Sequence, residues 1–273
     1  MNTGQTLRKI AVFFRRDLAV ARSYRAAFVL ELLESLFGVA AFYYLSRFVA
    51  SAELARTLPQ GGTYFAFALV GFAFFDYMNV ALNTFDQSLQ EARQNGTLEI
   101  LLVSQTSLPV TLAGSAMYPF VLLSLRTAIY LGWGIALFDF PTRRANWPGA
   151  ALVLLVSVLA FAGLGILSAS YLLLFKRGNP AKWLVIGVSG LVGGMMYPVS
   201  VLPEGLQRIA RLVPLTYSLE GLRGALLGHA SLEELWPSLR ALLLFAVVLL
   251  PLSFSVFSWA LRRTKITGTL THF

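Results

Sequence analysis

Apolar residues fall in long, nearly unbroken blocks along this chain. Six stretches of about twenty mostly apolar residues stand out, at 26–45, 64–85, 110–138, 150–175, 183–202 and 241–261, each bounded by charges or turn residues. A helix rises about 1.5 Å per residue, so about twenty such residues cross the roughly 30 Å of a bilayer's hydrocarbon. The pattern predicts six transmembrane helices. The third block is long for an upright span and contains Pro119, which predicts a kink or an interfacial start.

The segments between blocks have patterns of their own. Arg8, Arg15 and Arg22 recur every seventh residue with Lys9 and Arg16 beside them, while Leu7, Ile10, Phe14 and Leu18 take the opposite helical face. That is a basic amphipathic helix lying in the headgroup plane. In the segment 86–107, Asn95-Gly96 breaks the helix and Thr97 caps a new short one whose apolar face is Leu98, Leu101 and Leu102. The segment 203–240 is too apolar to be freely solvated, and Pro203, Gly205, Pro214, Gly221, Gly224, Gly228 and Pro237 interrupt it too often for a span. It is expected to form short helices dipping partway into the membrane, where irregular backbone survives only when protein covers it or it lines a cavity.

Six spans put both termini on one side, and basic residues indicate which. With both ends cytoplasmic, thirteen Lys and Arg lie inside, from Arg8 to Arg25, at Arg93, at Lys176, Arg177 and Lys182, and from Arg262 to Lys265. Eight lie outside: Arg47, Arg56, Arg143, Arg144, Arg208, Arg211, Arg223 and Arg240. The positive-inside rule favours cytoplasmic termini.

Composition agrees and narrows the function. Of 273 residues 57% are apolar and 13% charged, against about 25% charged in soluble domains. The net charge of +9 belongs beside a membrane face rather than on nucleic acid. One transmembrane domain over 1–273 is expected, with an interfacial helix at 1–25, the six-span bundle at 26–261 and a cytoplasmic tail at 262–273. The first apolar block is longer than a signal h-region and lacks an A-x-A-like site, so it is expected to be retained. Cysteine is absent, and His229 and His272 form no H-E-x-x-H pattern, so no metal site is expected. Neither a G-x-x-x-x-G-K-[ST] loop nor a G-x-S-x-G elbow occurs, which disfavours an enzyme and leaves no catalytic residue to name.

Charge inside the spans is the candidate chemistry. Glu31 and Glu34 lie one turn apart in the first span, and Asp76, Asn79 and Asn83 share one face of the second. A charge at the centre of a span costs at least about 2.5 kcal/mol, so these groups should face protein or water. Arg126 lies near the middle of the third span, and counting depth pairs it with Asp76. That pair reads either as a packing ion pair or as a substrate contact. The aromatic crowd Phe65, Phe67, Phe72, Phe74, Phe75 and Tyr77 is either packing surface or a greasy channel wall. Gly187, Gly190, Gly193 and Gly194 permit a tight helix crossing, which serves ordinary packing, a subunit interface or a gate.

Two local runs identify a family. The run Asn95-Gly96-Thr97-Leu98-Glu99-Ile100-Leu101-Leu102-Val103-Ser104, and Met196-Tyr197-Pro198-Val199-Ser200-Val201-Leu202-Pro203 followed by Pro214-Leu215-Thr216-Tyr217-Ser218-Leu219-Glu220-Gly221-Leu222-Arg223, resemble the coupling segment and the external helices of one family. In these places and in its topology the chain resembles the membrane subunits of type-2 ATP-binding-cassette exporters.

The resemblance implies a homodimer of twelve spans in a prokaryotic cytoplasmic membrane, driven by two copies of a separate ATPase subunit that binds ATP and magnesium. No cofactor is then expected in this chain. Asn95, Gly96, Thr97, Leu98, Glu99, Leu101 and Leu102 would form the ATPase docking segment, and the helix carrying Arg8, Lys9, Arg15, Arg16 and Arg22 a second contact. The path would run between the copies, with Glu31, Glu34, Asp76, Asn79, Asn83 and Arg126 along it. Tyr197, Pro198, Pro214, Tyr217, Glu220 and Arg223 would close its outer mouth. The family moves polysaccharides, lipids, lipid-linked glycans, drugs and peptides, and the aromatic spans lean toward an amphipathic cargo. The competing readings are an ATP-independent carrier or channel titrating Glu31, Glu34 or Asp76, and a membrane-embedded lipid enzyme.

Overall fold

The computed structural model describes residues 25–49, 63–94, 108–141, 145–175 and 179–266, and among them every regular element is helical. In chain order they are α1 (Arg25–Val49), α2 (Tyr64–Gln94), α3 (Leu108–Leu137), α4 (Trp147–Phe175), α5 (Pro180–Val192), a 3-10 turn (Val199–Val201), α6 (Glu204–Ala210), α7 (Pro214–Leu226) and α8 (Leu232–Ile266). Stretches of α2, α3, α4 and α8 are long and apolar enough to cross a bilayer. The 25 residues of α1 reach about 37 Å, also more than the hydrocarbon thickness. The chain is an all-α integral membrane protein.

α4 stands at the centre, packed against α2 on one side and α8 on the other. Two glycines let it approach that closely. A Cβ on Gly165 would lie 2.1 Å from the Ala81 carbonyl oxygen of α2, and one on Gly163 would lie 2.7 Å from Leu249 Cβ of α8. Lipid is as apolar as leucine, so spans associate through close packing of this kind. The short α7 is largely buried among α2, α4 and α8, with Leu215, Leu219, Leu222, Ala225 and Leu226 at most 1% exposed and Glu220 on its exposed side. Asn146 caps α4, accepting from Gly149 N at 2.9 Å, and donates to Ala230 O at 2.8 Å, which ties the end of α7 to the start of α4.

Three boundaries differ from the sequence pattern. The block at 183–202 is helical only to Val192. At 13 residues α5 spans about 20 Å, short of the hydrocarbon thickness. Gly193 N still bonds Ser189 O at 2.8 Å, and the helix stops at Gly194, which takes φ +82°, a left-handed conformation that glycine adopts without strain. The last helix begins at Leu232 rather than near residue 241, and Pro237 lies inside it. A capping box starts it: Ser231 N donates to Glu234 Oε2 at 2.7 Å and Glu234 N to Ser231 Oγ at 3.4 Å. At the other end of the bundle α2 runs on through Asp86 to Gln94, so Asp86 belongs to the helix rather than to a connecting segment. The two short helices expected within 203–240 are α6 and α7.

Candidate functional site

Three groups of polar side chains occupy different levels of this apolar bundle. The first lies where α2, α4 and the start of α5 meet. The Asp86 side chain is 1% exposed and forms an ion pair with Lys182 Nζ at 3.1 Å. It also accepts from Ser168 Oγ of α4 at 3.1 Å and from Asn179 Nδ2 at 3.1 Å. Asn179 Nδ2 reaches Ser168 Oγ at 2.7 Å as well, while its Oδ1 accepts from Lys182 N at 3.0 Å and caps α5. Lys182 Nζ donates further to Asn83 Oδ1 at 3.0 Å. One carboxylate, one ammonium and three neutral side chains thus satisfy one another. Removing one charge from such a group leaves the other buried and unpaired, at a cost of about 3–5 kcal/mol.

The second group is built on Arg223 of α7, which is 4% exposed. Its Nε and Nη2 donate to Phe67 O of α2 at 3.2 and 3.0 Å, Nη1 to Gly194 O at 2.6 Å, and Nη2 to Met195 O at 2.8 Å. The guanidinium also stacks on the Phe67 ring, 3.4 Å from its centroid. Burial pulls its pKa down to about 9, against the pull of Glu220, which leaves it a cation at neutral pH. Two of the three carbonyls it meets, Gly194 O and Met195 O, belong to the break after α5, where the helix no longer supplies donors. Gly71 makes room for this approach: a Cβ there would lie 2.0 Å from Met195 O and 2.6 Å from Arg223 Nη2.

The third group sits between these two levels. Arg126 of α3 lies 3.6 Å from Glu34 of α1, and its Nε donates to Tyr130 OH at 2.8 Å. The expected contact with Asp76 is replaced by this pair. Asp76 instead hydrogen-bonds Asn79 and feels Arg126 only through its charge. In a single chain the Glu34 side chain is 71% exposed and that of Arg126 32%. Around them Trp133 Nε1 donates to Ser35 Oγ at 3.3 Å, joining α3 to α1, and Tyr77 OH to Ser124 Oγ at 3.1 Å, joining α2 to α3.

The remaining site residues can be placed one by one. Asn83 bridges toward the first group, donating to Asn79 O at 2.7 Å. Of the aromatic crowd, Phe65, Phe67, Phe74 and Tyr77 are buried, which makes most of it packing surface. Gly187 has no neighbour within 4 Å of a built Cβ and Gly190 meets only the Phe75 ring, whereas a Cβ on Gly193 would lie 2.9 Å from Leu215 Cδ2 of α7 and one on Gly194 3.0 Å from Val199; other close approaches include those at Gly71, Gly163 and Gly165. Tyr197 OH donates to Leu191 O and Tyr217 OH to Arg211 O at 3.1 Å, while Pro198 and Pro214 are buried and Pro214 opens α7. Glu220 is exposed and forms no ion pair with Arg223 one turn on. The docking segment Asn95 to Leu102, the basic helix carrying Arg8, Lys9, Arg15, Arg16 and Arg22, and the Glu31 side chain lie outside the described residues.

The sequence reading missed Asp86, Ser168, Asn179 and Lys182 as site residues. Two signals pointed to them. The stripe Asp76, Asn79, Asn83 continues at helical spacing to Asp86, and Asn179-Pro180 is a helix start with a capping residue and proline at the first position.

The comparisons with known proteins meet this architecture. Over 155 residues the chain is 26% identical to the inner membrane transport permease YadH of Escherichia coli K12, covering 56% of this chain and 57% of that one. It is 27% identical to nodulation protein J of Neorhizobium galegae over 76% of each chain. Against the linearmycin resistance permease protein LnrN of Bacillus subtilis it is 27% identical over 59% of its length and 41% of the relative's. The stretch shared with YadH is thus little more than half of either protein. A family profile described as ABC-2 type transporter matches residues 8–227, four fifths of the sequence. The chain belongs to the ABC-2 type transporter family.

Proposed function

We propose that this chain is the membrane permease of an ATP-driven exporter, working as two copies with two separate ATPase subunits that bind the ATP and magnesium. The observation that carries the reading is the pair of exposed Glu34 and half-buried Arg126 on membrane-crossing helices. Facing lipid, each charge would cost at least about 2.5 kcal/mol, so protein or water must cover them. A polar path between two copies supplies both. With Asp76, Asn79 and Asn83 on α2, the pair gives an amphipathic cargo polar stations along an otherwise apolar wall.

The chain carries no nucleotide-binding loop of the P-loop kind, so energy has to enter from another subunit. The segment 95–104, directly following α2, is the docking element in this reading, with Glu99 as its polar contact. The basic N-terminal helix is a second contact. Thirteen basic residues against eight support cytoplasmic termini, and a relative named as an inner membrane permease supports the prokaryotic cytoplasmic membrane.

Co-purification with the ATPase tests the reading. The complex should hydrolyse ATP faster than the ATPase subunit alone, and Gly96→Pro or Glu99→Ala should lower that stimulation at least tenfold without dissociating the permease from the membrane. Uphill transport by this chain alone in vesicles, driven by a proton gradient, would establish the carrier reading instead.

A further inference from the structure

The helix α5 is poorly held along its length and firmly held at both ends. Within it only Ser189 and Val192 are buried, and Trp183, Leu184 and Leu191 are 60% exposed or more. Its first turn is fixed to α2 by the Asp86 to Lys182 ion pair, with Ser168 and Asn179 closing the group. At its far end the carbonyls of Gly194 and Met195 are gathered by Arg223, which binds Phe67 O of the same α2 through two further bonds. Between the two fastenings the Phe75 ring of α2 lies 3.4 Å from a Cβ built on Gly190.

We propose that α5 is a strut fastened to α2 at both ends, with Asp86, Lys182 and Arg223 as its positioning residues, so that α2 and α5 move as one body. Separating the two helices would strand a buried charge at either fastening. Rolling them together, with α7 and its Arg223 carried along, strands none. Since α2 leads directly into the segment 95–104, displacement there reaches the break at Gly194 and the helices α6 and α7 through α5, rather than dissipating in a hinge between the helices. The strut rests on the permease reading above and adds the mechanical route.

The chain has no cysteine, so two can be introduced and linked without interference. Phe75→Cys with Gly190→Cys, joined by a short bis-methanethiosulfonate reagent, ties α2 to α5 midway between the fastenings. In the full complex with its ATPase in nanodiscs, supplied with Mg-ATP, turnover after linking should stay within twofold of the same complex before linking. Linking yield should be equal in nucleotide-free and vanadate-trapped complexes. In Asp86→Asn or Lys182→Met backgrounds the yields should differ at least threefold between those states, and Lys182→Arg should restore equality. A tenfold loss of turnover on linking, or state-independent yields in folded Asp86→Asn and Lys182→Met, overturns the strut. Should those variants fail to fold, the linked native network still decides. If no ATPase is stimulated by the chain at all, the permease reading falls and the strut with it; a stimulated ATPase that linking stops refutes the strut alone.

Discussion

Replacing Arg223 by methionine keeps much of the side chain's length and removes the guanidinium, which isolates what the fork does. Four hydrogen bonds are lost. Phe67 O lies inside α2 and keeps its helical partner, so its two bonds are the lesser loss. Gly194 O and Met195 O lie in the break after α5, and each is left buried without that donor at about 1–3 kcal/mol. Loss of the stacked contact with the Phe67 ring adds up to about 2 kcal/mol. Against this, the variant no longer has to bury a charge, a relief of several kcal/mol. The balance is a destabilisation of about 2–4 kcal/mol. For a chain of this size that lowers Tm by roughly 5–10 °C, readable from intrinsic fluorescence of the purified protein in detergent. Arg223→Lys should fall between the two, because an ammonium cannot reach all three carbonyls from one position. Gly71→Ala attacks the same cluster from the other side, its new methyl 2.0 Å from Met195 O. If both act on one site, the double variant should lose less than the sum of the singles. Additive losses, or an Arg223→Met variant within 1 °C of the parent, would refute the assignment of Arg223 as the clasp on the broken end of α5.

The close approach of α4 to α2 predicts a sharp contrast between two glycines. Gly165→Ala should cost at least about 2 kcal/mol because a backbone oxygen occupies the space, while Gly187→Ala, with nothing nearby, should be neutral or gain up to about 1 kcal/mol of helix propensity; equal Tm values for the two would contradict the packing. Ser231→Ala removes the capping box and should cost about 0.5–2 kcal/mol, seen as faster amide exchange confined to the first turns of α8; unchanged exchange there would mean that the helix starts without its cap.

How much of this was legible in the sequence differs from element to element. The long helices were, because twenty apolar residues in a row leave a chain few alternatives to a helix in lipid, and α1 to α4 fall on the blocks that predict them. The length of α5 was not, since hydropathy counts apolar residues and is indifferent to whether the backbone is helical. Gly193, Gly194 and Pro198 held the information, but glycines in a span also read as packing. The start of α8 is written in the capping pair Ser231 and Glu234, a signal that the apolar block beginning at 241 does not contain. The polar stripe on α2 runs one turn beyond Asn83 to Asp86, its most buried member, where hydropathy places the end of the apolar block.

What the sequence determined by itself was the solvent each segment must face, and with it an all-helical membrane protein of this family, because apolar length and charge placement are properties of the chain read in order. Only the tertiary structure decided which charges meet. Arg126 went to Glu34 rather than Asp76, Lys182 to Asp86, and Arg223 to the carbonyls of a broken helix instead of to Glu220. Each of those choices turns on distances of a few ångströms between helices far apart in sequence, and helical periodicity gives the face of a residue without saying which helix stands opposite.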